Sequence, residues 1–520
     1  MSGNICPHCG NTKYAETFLS DDSSFLQAEA QRIDALIREL QSRRAAVRRK
    51  INRQSAATRS LPQELLSDIF TYAYPTPSFS PRINLQSLEG DEPVESAVAE
   101  PLTRDEILPK PLGLGAVCTY WRQVAWDTPG LWVALDLRPF LNTPDCKAAA
   151  ALLCLYTRNV GPLGLSVQIV FHWTIAAGMV DDSIVGPIQF LGDALCSQET
   201  MFKTHMLVLS NPPSAWIPCL SNGFINMHTL AITTSQPKHQ FTLTTIDNVP
   251  SLRHVSLRGI QDLVSLPIHQ LLSLTLRDMP LDLTYHLMGR NIISFRTRLP
   301  RFPRVSYTTP PSNGTLSVLN HIEHLEWTGV YHPWDRHLQH FRFPSLRYLQ
   351  FHGDIPPRLL PWFETLPSTL KTFHSTDTLE VDYLIDILYS LPQLETLVLE
   401  KCEYAQYILE RFGASSFSSS SNDDTSPPQR NFLPNLTRLK IEGTFADYDK
   451  RFPLELTDAI AEVLPERIRT LQHRPLFSLE IDPAEKVQWS PEASEKLKVL
   501  TVIHAGRLRI LVGGKEVSWT

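Results

Sequence analysis

The chain has 520 residues, 42% of them hydrophobic and 20% charged, with a formal net charge of −6. Such a length exceeds one ordinary core and predicts two or three folding units of globular composition, while the small net charge excludes nucleic acid or an anionic membrane as the main ligand of the whole molecule. Eight cysteines, at 6, 9, 118, 146, 154, 196, 219 and 402, show no disulfide framework, and "MSGNICPHCGNTKYAE" carries no apolar leader, so a cytoplasmic or nuclear location is expected.

Residues 1–24 read as a disordered tail. Within it Cys6, His8 and Cys9 have the spacing of half a zinc knuckle, but no second CxxC follows, so no metal and no cofactor are assigned. Residues 25–58 read as an amphipathic helix, with Leu26, Ala30, Ile33, Ile37, Leu40, Val47 and Ile51 in steps of four and three and Arg44 interrupting the seam. Self-association as a coiled coil and an intramolecular brace both fit that pattern. The run "RRAAVRRKINR" from Arg43 to Arg53 reads as a solvated helix face, since no aromatics are interleaved to stack bases.

Two short helices come next. "SLPQELLSDIFTYAYP" begins at Ser60, which supplies a hydroxyl cap ahead of Pro62 and Gln63, and Leu65, Leu66, Ile69, Phe70 and Ala73 share one face. "LGLGAVCTYWRQVAWDTPGLW" begins at Leu112; Leu114, Val117, Cys118, Trp121, Val124 and Ala125 recur at helical spacing, and Thr128 with Pro129 starts a third short turn. Gly113 and Gly115 leave the first residue of that helix open. Between the two, residues 75–111 form a polar, proline-bearing insert, which loop-closure entropy tolerates.

The order Leu61-Pro62, Glu64, Leu65, Ile69, Phe70, then Val117-Cys118, Trp121-Arg122, Ala125 and Leu131-Trp132 resembles the F-box, the motif by which F-box proteins bind the Skp adaptor of cullin-based ubiquitin ligases. The resemblance implies an F-box-like domain over 59–137 whose helices lie in an adaptor groove. It assigns adaptor binding to Leu61, Pro62, Leu65, Leu66, Ile69, Val117, Cys118, Trp121 and Val124, a few of which would carry most of the energy.

Residues 138–520 are dominated by a Leu-x-x-Leu-x-Leu pattern: "LRHVSL" at Leu252, "LLSLTL" at Leu271, "IEHLEW" at Ile322, "LRYLQF" at Leu346, "LKTFHS" at Leu370, "LETLVL" at Leu394, "LTRLKI" at Leu436, "LFSLEI" at Leu476 and "LKVLTV" at Leu497, with weaker copies at Met227 and Ile292. From Ile322 to Leu394 the step is 24 residues three times running. This periodicity predicts an irregular leucine-rich-repeat solenoid in which each unit adds one short strand. Pro250, Pro344, Pro392 and Pro434 each stand two positions before a leading leucine, where a rigid turn into a strand is expected. The uncharged stretch Val160–Val180 alternates from Leu163 to Phe171 and reads as an early strand rather than a membrane span. Residues 413–431, "GASSFSSSSNDDTSPPQRN", read as a disordered insert.

The histidines at 321, 324, 332, 337 and 340 lack HExxH or a carboxylate triad, and neither GxSxG nor a P-loop occurs. The expectation is therefore an α/β protein without enzymatic chemistry, comprising a helix, a small all-α F-box module and a repeat solenoid. Its expected partners are a Skp-type adaptor, through it a cullin, and an unknown protein target, with no nucleic acid and no membrane. The alternative is an interaction scaffold that binds the adaptor without ligase function.

Overall fold

The computed structural model describes residues 23–55, 60–74, 110–139, 143–171, 182–213, 223–234, 248–260, 265–279, 291–298, 316–328, 338–353, 357–376, 381–402, 405–414, 432–443, 454–470, 476–483, 489–504 and 506–517, with isolated residues at 216, 220, 246, 287, 355 and 487. The tail with Cys6, His8 and Cys9, most of the 75–111 insert, His332 and His337, and the serine-rich segment beyond 414 lie outside these residues. The described chain is mixed α/β and divides into two compact units, one of residues 1–135 and 152–166, the other of 136–151 and 167–520. Among the described residues no helix is long and apolar enough to cross a membrane.

The first unit is mainly helical. Helix α1 (Ser23–Ser55) keeps the expected seam in solvent, with Leu26, Ile33, Ile37, Leu40, Val47 and Ile51 all exposed. Near its C-terminal end Asn52 Nδ2 donates to the Val117 carbonyl at 3.1 Å. Helix α2 (Gln63–Ala73) is capped by Pro62 in an extended conformation, with no side-chain cap bond. Ser60 therefore is not the cap that its hydroxyl suggests; the Pro62 carbonyl opens the helix by accepting from Leu66 N–H. Helices α3 (Lys110–Val117) and α4 (Thr119–Trp126) follow, then a 3₁₀ turn, Pro129–Trp132, with proline in its first position as expected.

The second unit is built on one sheet. It opens with β1 (Ala134–Leu137) and β2 (Leu165–Val170), the latter after helix α5 (Thr143–Asn159), and the strands named below follow in chain order to a last two-residue strand, β17 (Lys515–Glu516). Helices α6 (Asp182–Leu195) and α7 (Gln198–Lys203) lead to β3 (Thr204–Ser210). Strands β4 (Thr229–Thr233), β5 (His254–Arg258), β6 (Ser273–Arg277) and β7 (Ser294–Arg298) follow. Two-residue strands β8 (Ser317–Val318) and β10 (Phe341–Arg342) pair apart from the main sheet, which continues in β9 (His324–Thr328) and β11 (Tyr348–His352). A short helix α8 (Leu360–Phe363) precedes β12 (Thr372–Thr376), and α9 (Val381–Tyr389) precedes β13 (Thr396–Glu400). Helix α10 (Ala405–Ala414) comes before β14 (Arg438–Gly443), α11 (Leu454–Thr470) before β15 (Phe477–Pro483), and α12 (Pro491–Ile503) before β16 (Leu508–Val512).

From β3 to β16 neighbours pair in parallel, and from β4 to β14 equivalent residues of the apolar pattern sit opposite one another: Leu325, Leu349, Phe373 and Leu397 in one row, Trp327, Phe351, Ser375 and Leu399 in the next. The leading residue of the pattern is equally buried, as at Leu252, Leu271, Leu346 and Leu394. Each strand entry repeats the same hydrogen bonding. The carbonyls of Arg253, Leu272, Ile293, Glu323, Arg347 and Lys371 each accept two successive N–H groups from the next strand in the sheet. Just before, Leu252, Leu346, Leu394 and Leu436 donate to Val249, Phe343, Leu391 and Leu433, closing turns that hold Pro250, Pro344, Pro392 and Pro434 at their second position. Proline suits that position because its φ is already set and its N–H is not needed.

The copy "LKVLTV" at Leu497 is not a strand. It lies in α12, where Ser490 accepts from Ala493 N–H and Pro491 takes the first helical position. The cap and proline override the apolar trio, and the strand of that repeat is β16, eleven residues beyond the expected start. In "LFSLEI" the leading Leu476 is exposed and Phe477 takes the buried place. Sequence pattern missed β3, whose "HMLVL" lies in register with β4. Behind the C-terminal strands α10 lies on α11 and α11 on α12. Buried Arg467 of α11 donates to the carbonyls of Phe432, Leu433 and Leu436, tying the turn that enters β14.

At several strand exits the ladder gains one more bond before the chain turns through a positive φ, at Asn211, Gly259, Asp278, Gly353 and Lys401. At Gly259 the backbone also passes so close to Thr234 that a Cβ would overlap its carbonyl oxygen. Gly259→Ala should lower stability by about 2 kcal/mol, read from denaturant unfolding of the full chain.

Candidate docking surfaces

The helical unit divides α2 into two faces. Leu66 and Phe70 point inward and are fully buried, and Phe70 meets Trp121 of α4 with ring centroids 4.9 Å apart. Polar contacts hold the same edge. Tyr120 Oη donates to the Leu61 carbonyl at 2.9 Å, Ser67 and Thr128 share a hydrogen bond of 2.8 Å, and Thr128 Oγ1 reaches back to the Val124 carbonyl at 2.6 Å. Thr128 starts the 3₁₀ turn without a side-chain cap bond to it. Cys118 caps α4, its sulfur accepting from Trp121 N–H. Trp132 lies fully buried between Trp126 and Tyr156, at 5.1 and 5.0 Å, and donates through Nε1 to the Ala125 carbonyl.

The outward face of α2 is apolar and open. Leu65 is 51% exposed, Ile69 48% and Tyr72 91%; their spacing of four and three residues sets them on one stripe. Of the residues that the sequence marked for binding, Leu65, Ile69 and Pro62 are exposed, and Leu61, Val117 and Trp121 half-buried. Leu66, Cys118 and Val124 are in the unit's own core, at 0%, 3% and 0% exposure. That is a correction to their assignment as contact residues: in this conformation they hold the two helices together and present no surface. Tyr72, seven residues after Leu65 and outside the motif, adds a third exposed side chain to that stripe.

In the second unit the solvent-side residues of the strands form a second, polar surface. His374 Nε2 and Glu400 Oε2 lie 3.0 Å apart, and Tyr348 Oη is 3.3 Å from His374 Nδ1. The hydrogen bond from His374 holds the Glu400 carboxyl below its ordinary value against the opposing effect of burial. His374, Glu400 and Glu442 offer ligand-type atoms within 4.8 Å of one another; the Lys440 ammonium sits against Glu442, so the group is arranged as an ion-pair network. Of the histidines singled out in the sequence, His324 lies beside Tyr348, centroids 5.8 Å apart, while His321, exposed, and His340, half-buried, sit in turns. No protein-family model matches this sequence, and no curated protein is significantly similar to it.

Two expectations follow. A Cβ at Gly115 of α3 would stand 2.6 Å from the Trp126 ring, so Gly115→Ala should cost about 1–3 kcal/mol through overpacking, measured as a lower unfolding midpoint of the helical unit. The lowered Glu400 pKa stabilises the fold above the ordinary glutamate value of 4.5 and stops doing so as pH falls through the lowered value. His374→Ala removes the shift and should move the acid-unfolding midpoint, followed by circular dichroism, to higher pH.

Proposed function

We propose that this chain is the substrate-recognition subunit of a cullin-type (SCF) ubiquitin ligase, in which an F-box module docks on a Skp-type adaptor and a leucine-rich-repeat solenoid holds the target protein. The observation that carries this reading is the division of α2: one face is locked to α4 through Phe70 and Trp121, while Leu65, Ile69 and Tyr72 stand in solvent. Full burial of such a side chain from full exposure is worth about 1.5–3 kcal/mol, and helix-in-groove recognition concentrates its energy in a few apolar anchors of this kind. Support for the repeat reading comes from the 24-residue step carried in register by β9, β11, β12 and β13.

On this reading the chain performs no bond chemistry. It holds a target lysine close to a charged conjugating enzyme supplied by other subunits, raising its effective concentration. Pairing Leu65→Ala with Ile69→Ala should weaken capture of a purified Skp-type adaptor roughly thirtyfold, equivalent to about 2 kcal/mol, with the melting curve unchanged because both side chains are exposed. Undiminished capture sinks the docking assignment. Co-purification of a cullin with the wild-type chain supports the ligase role, and adaptor without cullin supports a scaffold instead.

A further inference from the structure

From β5 to β15 one residue near the end of each main-sheet strand falls in a single cross-sheet row, exposed or half-buried except at Thr376, which is buried. Arg258, Arg277 and Arg298 are directly opposite one another. Then come Thr328, His352 and Thr376. Glu400, Glu442 and Asp482 complete the row, again in register. Three like charges on adjacent strands repel at each end, and the compensating groups beside them are fewer.

At the first end Asp278 pairs with Arg258 at 2.8 Å and Glu326 with Arg296 at 3.1 Å. Among the described residues no ion pair reaches Arg277 or Arg298. Among the described residues four arginines thus face two carboxylates. Burial, with Arg298 and Arg258 adding to it against the pull of Glu326, takes Arg277 down to about 10. At the second end Glu480 joins Glu400, Glu442 and Asp482; among the described residues Arg438 pairs with Glu480, Lys440 sits against Glu442 and Glu480, and His374 bonds Glu400. The middle of the row carries no carboxylate, lysine or arginine, and its His352 lies 3.6 Å from Glu326.

We infer that this polar face binds an extended, charge-segregated peptide segment that lies across the strands, its acidic block on Arg258, Arg277 and Arg298 and its basic block on Glu400, Glu442 and Asp482. The inference rests on reading the sheet as the target-holding part of the chain, and it gives that target a chemistry. From Arg277 to Glu442 is six strand steps, about 29 Å at ~4.8 Å each, which an extended chain covers in about nine residues. Complementary charge selects the partner and its register here more than it adds raw affinity.

The probe is a fluorescein-labelled peptide of three glutamates, three Gly-Ser pairs and three lysines, titrated into the full chain at low salt and followed by anisotropy. It should bind at least tenfold more tightly than an isomer of the same composition with alternating charges, and more tightly than a version carrying glutamate at both ends. Arg277→Glu with Arg298→Glu should abolish the preference; if that pair fails to fold, Arg277→Gln with Arg298→Gln should reduce it. Leu65→Ala with Ile69→Ala should leave peptide binding intact, so loss of adaptor capture and loss of this site are read separately. Equal binding of the block and alternating peptides overturns the inference. So does an all-acidic peptide that binds as well as the block peptide, or a single-stranded oligonucleotide that binds more tightly.

Discussion

Everything in the second unit depends on keeping a parallel ladder in register over many strands. Side chains alternate faces with a period of two, so a slip of one residue would send Leu349, Phe351 and their equivalents into water and bring arginines and glutamates inside. Three local devices resist that slip. The proline turns set the direction of entry, one carbonyl grips two N–H groups at each strand start, and a left-handed residue ends many strands after one extra bond. The polar face is a by-product of the same register: only because the ladder is exact in phase do three arginines, and farther along three carboxylates, line up across separate strands.

The helical unit solves a different problem. A helix of eleven residues is too short to be stable alone, so α2 must bury one face, and Phe70 with Leu66 supplies it. The cost of exposing Leu65, Ile69 and Tyr72 is carried by that inward half, together with a tryptophan-rich floor under α4. Gly115 belongs to the same economy of space, since it lets α3 approach the Trp126 ring more closely than any side chain allows.

Much of the sheet was legible in the sequence because a parallel strand buried on one face leaves a two-residue alternation that nothing else mimics as often. It failed where local chemistry outweighed pattern. At Leu497 the trio is present, but Ser490 and Pro491 start a helix and carry those leucines with it. At Thr204–Ser210 the strand is apolar on consecutive residues, so alternation is lost. The exposed stripe of α2 was legible only as a set of residue types; which of them face outward depends on the rotation of α2 about its axis, set by Phe70, Ser67 and their partners across the unit. Leu65 and Leu66 are the same residue type side by side, and Cys118 belongs to the motif as Leu65 does, yet only Leu65 is exposed; residue type alone does not separate an outward side chain from one in the unit's own core.

The last two strands reverse the pattern of the rest. After β16 the chain turns at Gly513 and Gly514 and returns antiparallel as β17 (Lys515–Glu516). A stack of parallel ribbons invites further ribbons from other molecules wherever its final rung stays open. The short charged hairpin occupies that rung and turns the strand direction around, so at this end the sheet carries its own stopper against fibre growth.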